Sequence, residues 1–190
     1  MQPIVYLVKV TQMDRFASIV VALMLTTCAI GVTLADDFPS PFEVFSPPVN
    51  APTVSFKSPD GNTLGLEQWK GRVLVLNIWA TWCGPCVREI PSLDRLSKKV
   101  RDAGIDVIAV SQDKGGSEKS RSFFEINKVE LLSAYSDPQG TLSQSFGVRG
   151  MPTTLILDTQ GRVVARLEGE AEWDSDAIVE SLRSLAGAKK

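Results

Sequence analysis

The chain has 190 residues, 44% of them hydrophobic, with 20 lysines and arginines against 22 aspartates and glutamates. That length bounds it to one ordinary domain plus flanking segments, and a net charge of -2 offers no general attraction to nucleic acid or to an anionic membrane surface. Histidine is absent, which excludes imidazole bases, Ser-His and Cys-His nucleophile pairs, and His-ligated zinc or haem within this chain.

The run FASIVVALMLTTCAIGVTLA, from Phe16 to Ala35, carries no charge; Lys9 and Arg15 precede it and Asp36-Asp37 follow. A basic flank, an apolar stretch and small residues before an acidic step form the pattern of an export signal, with Thr33-Leu34-Ala35 as its cleavage site. The run is also about long enough to cross a bilayer as a helix. Residues 1–35 therefore read either as a cleaved signal or as a retained signal-anchor, with Met13 as an alternative start. Cys28 is either a lipidation site, through Leu25-Thr26-Thr27-Cys28, or an inert thiol in an apolar segment; Thr27 is unusual for lipidation and favours the inert thiol. On each reading the remainder is expected in the oxidising periplasm, either released or held at the inner membrane by this segment. Residues 36–52 contain five prolines, which predicts an extended spacer ahead of a domain spanning 53–190.

Within that domain, Thr53–Phe56 and Thr63–Leu64 flank the turn SPDGN and predict a hairpin. Val73–Trp79, VLVLNIW, predicts a strand buried on both faces. Val87, Ile90, Leu93, Leu96 and Val100 recur at helical spacing, with Lys98, Lys99 and Arg101 in the last turn and Gly104 at the stop. Asp106–Val110 predicts a second buried strand, Glu118–Asn127 a helix and Thr141–Phe146 a short helix. Thr154–Leu157 and Val163–Leu167 bracket DTQGR as an antiparallel hairpin, and Asp174–Leu185 forms a last helix with Ala177, Ile178, Leu182 and Leu185 on one side. The order implies an α/β fold, a mixed central sheet flanked by helices, with an extra N-terminal hairpin.

The chemistry concentrates in WCGPCVREIP, residues 82–91. Cys83 falls where the buried strand gives way to the helix, and Pro85 suits a first helical turn, where its missing N–H is not needed. Cys83 is thus expected beside unpaired N–H groups and the positive end of the helix dipole, which favour thiolate. Cys86, one turn on, is within disulfide reach and less exposed. A purely structural bridge across so short a loop would remove little unfolded-chain entropy. A closed zinc site needs four ligands, and only two soft ones are present. A two-thiolate copper(I) site stays open beside the redox pair that CxxC in an α/β pattern indicates.

NIWATWCGPCVREIPSLDRL, followed by GVRGMPTTLILDTQGRVVARLEG, resembles the thioredoxin superfamily over roughly residues 50–187. The exported start, the extra hairpin and the WATWC...E.P wording resemble its TlpA/ResA branch of membrane-associated thiol:disulfide oxidoreductases, and GEAEWDS is TlpA-like. The resemblance implies the thioredoxin fold, Cys83 as nucleophile, Cys86 as resolving thiol, and Met151-Pro152 as a cis-proline step. Through that step residue 151 would offer backbone hydrogen bonds to a substrate segment. Pro152 by itself would read equally as an ordinary turn proline. Glu89 matches an active-site glutamate of the branch; read alone, it is equally a solvated glutamate beside Arg88. Asn77 stands where thioredoxins proper keep a buried acid, which shifts weight to Glu89. Trp82 matches a substrate-contact or shielding aromatic, Trp79 a core residue, Pro91 a helix-bending proline and Gly169 a small residue beside the catalytic face.

The implied mechanism is thiol-disulfide exchange through the Cys83–Cys86 couple, with no further cofactor and no metal. Gly84-Pro85 between the cysteines matches reducing thioredoxins, at about -270 mV, rather than the oxidant DsbA at about -120 mV. The implied partners are protein substrates with cysteine pairs: apocytochrome c, a copper chaperone or the copper-site subunit of cytochrome oxidase. A membrane thiol electron donor would recharge the couple. The rivals are a copper(I) carrier using Cys83 and Cys86, a periplasmic thiol oxidase, and a peroxidase, whose Pro/Thr setting WATWC does not provide.

Overall fold

The computed structural model describes residues 38–187. The expected export segment, with Cys28 and the alternative start at Met13, lies outside them. Among the described residues no helix is long and apolar enough to cross a membrane.

The chain runs β1 (Glu43–Asn50), β2 (Ser55–Lys57), β3 (Thr63–Gly65), β4 (Val73–Trp79), α1 (Gly84–Val100), β5 (Ile105–Ser111), α2 (Ser117–Ile126), β6 (Ala134–Ser136), α3 (Thr141–Ser145), β7 (Thr153–Leu157), β8 (Arg162–Glu168) and α4 (Asp176–Leu185). The strands make one mixed sheet in the order β1-β8-β7-β4-β5-β6-β2-β3. β4, β5 and β6 run parallel, while β7, β8 and β1 on one side and β2 and β3 on the other pair antiparallel. This is the α/β arrangement expected, with β2–β3 as the additional hairpin.

Every residue of β4 is buried, and its alternation divides the core. Val73, Val75 and Trp79 pack with Ile90, Leu93, Leu96 and Val100 of α1, Phe124 of α2, and Ile178 and Leu182 of α4. Leu74, Leu76 and Ile78 pack on the opposite face with Leu66, Leu142 and Leu155. Removing each such side chain from water is worth about 1.5–3 kcal/mol, so a polar residue survives here only if it is hydrogen-bonded. Asn77, fully buried on the α1 face, is that residue.

α1 is capped by Cys83, whose sulfur accepts a hydrogen bond from the Cys86 N–H, and Pro85 occupies the first turn. It continues through Pro91, although that ring removes one N–H from the helical ladder. A short 3-10 turn, Arg101–Ala103, then leads to Gly104 at φ 74°, a left-handed conformation that favours glycine over any residue with a Cβ.

The structure differs from the sequence reading at three points. Residues 36–52 are not a spacer in their described part, because Glu43–Asn50 is an edge strand paired with β8. The prolines that read as a linker are compatible with an edge, where one side of the strand needs no ladder partner. Pairing holds at Glu43, Val44, Val49 and Asn50, and it breaks between Val44 and Val49, where Pro47 and Pro48 lie. Phe38 joins the core and Phe42 packs against it, so the domain starts well before residue 53. Second, Ala134–Ser136 forms a strand too short to show periodicity. Third, Ala177 is exposed rather than on the packed face of α4.

Candidate active site

Cys83 and Cys86 are joined in a disulfide with their Cα atoms 5.3 Å apart. β4 delivers the chain to this point, and the Cys83 N–H closes a turn onto the Ala80 carbonyl at 3.1 Å. Cys83 retains 7% exposure and Cys86 none, so an incoming sulfur can reach only the former. The Cys86 N–H donates to Cys83 Sγ at 3.3 Å. That donor and the helix N-terminus would stabilise negative charge on Cys83 once the bond is opened. Trp82, 69% exposed, stands beside the pair, and Gly84 and Pro85 are exposed with it.

The Met151–Pro152 peptide is cis, and the Met151 carbonyl lies 3.5 Å from Cys83 Sγ. Gly169, at φ 110°, donates its N–H to the Pro152 carbonyl at 2.9 Å and so brings the end of β8 against the same step. A Cβ at Gly169 would meet nothing within 4 Å, so the constraint there is the backbone conformation rather than space.

Glu89 is not on the surface. It is 2% exposed and lies on the same face of α1 as Cys86, Ile90 and Leu93. Asn77 Nδ2 donates to its Oε1 at 2.7 Å, while Trp173 Nε1 and the Ala171 N–H donate to its Oε2 at 2.9 and 3.2 Å. Burial pushes the carboxyl up to about 7; the bonds from Trp173, Asn77 and Ala171 oppose that rise, and the neighbouring Glu170 charge adds to it. Asn77 also donates to Thr154 Oγ1 at 2.9 Å, and its own Oδ1 has no partner among the described residues. The structure thus places Cys83, Cys86, Met151 and Pro152 together, with Glu89 one helical turn beyond Cys86 under the same helix. Trp79 is fully buried, stacked on Phe124 at 5.4 Å between ring centroids.

Two contributions went unread in the sequence. The loop after β8 is laced along α1 by Arg88 to Glu170, Ser92 to Ala171 and Trp173, and Arg95 to Glu172 and Asp174. The basic positions are spaced by two helical turns, and the acids fall at every second residue of GEAEWD, a signal visible in retrospect. The other is Asp113, 4% exposed, which accepts from the Thr81 N–H at 3.0 Å, Thr81 Oγ1 at 2.7 Å and Ser111 Oγ at 2.6 Å. It anchors the loop two residues before Cys83. Among the described residues no cluster of three or more Cys, Asp or Glu side chains is placed to hold a metal.

Comparison with known proteins agrees with this geometry. Residues 48–182 match the Redoxin family. The thiol-disulfide oxidoreductase ResA of Bacillus cereus is 28% identical over 157 residues, covering 83% of this chain and 90% of the relative. A Chlorobium tepidum structure assigned as the thiol:disulfide interchange protein DsbE superposes with a TM-score of 0.65 at 28% identity, over 74% of this chain and 97% of that one. The exposed lipoprotein thioredoxin Etrx1 of Streptococcus pneumoniae gives a TM-score of 0.59 at 28% identity, over 70% and 100%. A family match across most of the folded residues, with a helix-capping disulfide beneath a cis-proline, leads to one conclusion: the chain belongs to the Redoxin family and is a thiol-disulfide oxidoreductase of the TlpA/ResA-like branch of the thioredoxin superfamily.

Proposed function

We propose that the chain is an exported reductase of cysteine pairs in extracytoplasmic proteins, serving the assembly of c-type cytochromes or of the copper site of cytochrome oxidase. The observation that carries the reading is the placement of Cys83 as the outer sulfur of a disulfide at a helix N-terminus, against the Met151 carbonyl. Gly84-Pro85 between the cysteines supports the reducing direction, and the likeness to an exposed lipoprotein thioredoxin supports an extracytoplasmic site.

In the reduced protein the Cys83 thiolate attacks one sulfur of a substrate disulfide; a mixed disulfide forms and a substrate thiolate leaves. The Cys86 thiol gives up its proton, and its sulfur attacks Cys83 Sγ, releasing the second substrate thiolate. Two electrons pass to the substrate, and the protein is left with the Cys83–Cys86 disulfide. Glu89, titrating near neutrality, is suited to take the Cys86 proton. The backbone at Met151 pairs with the substrate strand, and Trp82 offers it an exposed aromatic surface. The disulfide is itself the electron carrier, so no dissociable cofactor enters. A membrane thiol donor returns the electrons.

The reduction potential of the couple, measured against defined thiol buffers, tests the direction. A value near about -270 mV is expected; a value near about -120 mV would make the protein an oxidase. Cys86→Ser is expected to accumulate mixed disulfides on Cys83 with its natural substrates, and mass spectrometry of the trapped species would identify them. Recovery of no cytochrome or oxidase assembly protein among the trapped species would overturn the substrate assignment. Tight, stoichiometric copper(I) retention by the reduced protein, without turnover, would replace the reductase by a carrier.

A further inference from the structure

Trp173 does nothing in the exchange steps themselves, yet it is fully buried and bonded at both ends. Its indole Nε1–H donates to Glu89 Oε2 at 2.9 Å, and its backbone N–H donates to Ser92 Oγ at 3.1 Å. Ser92 Oγ in turn donates to the Glu89 carbonyl at 2.8 Å, so side chain and backbone of Trp173 both close onto the residue that carries the acid. Phe42 meets the indole edge-on with ring centroids 5.8 Å apart, and Phe38 backs Phe42 at 5.3 Å. A buried indole N–H needs an acceptor, and aromatic contacts of this kind fix the ring plane. We propose that Trp173 is the positioning residue of the buried Glu89, and that the Phe38–Phe42 segment braces its indole against the carboxylate. The inference deepens the exchange reading and rests on it for its catalytic consequence, while its geometry stands independently.

A donor held on Oε2 favours the ionised carboxylate, so the indole works against the desolvation that favours the neutral acid. The other groups that face Glu89 are few. β4 supplies Asn77, with Thr154 of β7 behind it, and neither carries charge. The loop after β8 supplies the Ala171 N–H and Glu170, whose charge opposes ionisation and is paired with Arg88. Glu172 and Asp174 of that loop are turned to Arg95. On α1 itself the neighbours are Cys86 and Arg88, and the Phe38–Phe42 brace brings no charge. The indole is therefore the one neutral side-chain donor on Oε2 among the described residues, and its seating depends on residues outside the catalytic motif.

The test is the titration of the Glu89 carboxyl by carbon NMR in the full chain. Trp173→Phe is expected to move the midpoint upward by about one pH unit, the size of one charge-assisted hydrogen bond lost. Phe42→Ala is expected to move it less, in the same direction. An unchanged midpoint in folded Trp173→Phe overturns the assignment, and an unchanged midpoint in Phe42→Ala overturns the brace. Should Trp173→Phe not fold, the indole N–H resonance of the wild-type protein decides. It must titrate with the same midpoint as the carboxyl and lose that titration in Glu89→Gln; an indole that ignores pH sinks the proposal. Disulfide reduction by the same samples separates the two readings. No exchange in any sample with the midpoint shifted removes the reductase and keeps the positioning role, whereas normal exchange with the midpoint unmoved removes the positioning role alone.

Discussion

Two buried carboxylates flank the disulfide, and they are held in opposite ways. Asp113 takes its donors from its own vicinity on β5 and from the loop entering the site: Ser111, and both the backbone and hydroxyl of Thr81. Glu89 collects an amide from β4 and, from the loop after β8, an indole and a backbone N–H, two parts of the chain remote from each other and from α1. The first arrangement ties a loop down. The second gathers remote elements around one acid whose ionisation lies near neutrality. Similar burial therefore serves anchorage in one case and, in the proposed mechanism, proton exchange in the other, and the two differ in the origin of their donors.

The contrast can be broken at Asp113. Asp113→Ala would leave two partly buried Thr81 donors and the buried Ser111 hydroxyl without this acceptor, a loss of about 4 kcal/mol readable by urea unfolding. The pH midpoint of Cys83 alkylation in the reduced protein should stay where it is. A shifted midpoint with little loss of stability would exchange the roles of the two acids.

Glu89→Gln sharpens the contrast, with a smaller energy and a defined sign. The carboxyl titrates at 4.5 in an ordinary setting and at about 7 in the fold, so between those pH values the folded chain holds the extra proton. Stability should accordingly fall as pH rises from 4.5 to 7 and level off beyond, by about 3 kcal/mol in all. Glu89→Gln should remove that slope, as thermal unfolding across the same range would show. The smallest effect belongs to Glu170→Gln: removing a repelling charge should move the Glu89 midpoint slightly downward, leaving the unfolding midpoint of the protein nearly unchanged.

The elements that were legible in the sequence are those whose burial pattern repeats. VLVLNIW reads as a strand covered on both faces, and the apolar positions from Val87 to Val100 recur at helical spacing, which places them along one side of a helix. Cys83 at the strand-helix junction followed from Pro85 and the helix that begins there. β1 was hidden because five prolines over residues 36–52 satisfy a linker and an edge strand alike, and only the partner, β8, decides between them. Glu89 stayed ambiguous because a glutamate advertises solvent. Its position three residues after Cys86 and four before Leu93 nonetheless puts it on the buried stripe. Trp173 and Asp113 act through contacts made 84 and 32 residues away, with Glu89 and Thr81, and no local pattern carries such information.

The pairing of β1 with β8 also sets an order of events. Glu43 meets Arg166 and Asn50 meets Arg162, so the first strand of the domain finds its place only against the last. A chain that emerges amino end first must hold Glu43–Asn50 unmatched until more than a hundred further residues have followed. Contacts so distant in sequence are slow to form, and an unmatched strand invites foreign partners in the interval. The two prolines in its middle make that waiting strand a poor template for pairing with other chains. The segment that interrupts its own final ladder is thereby protected while the ladder does not yet exist.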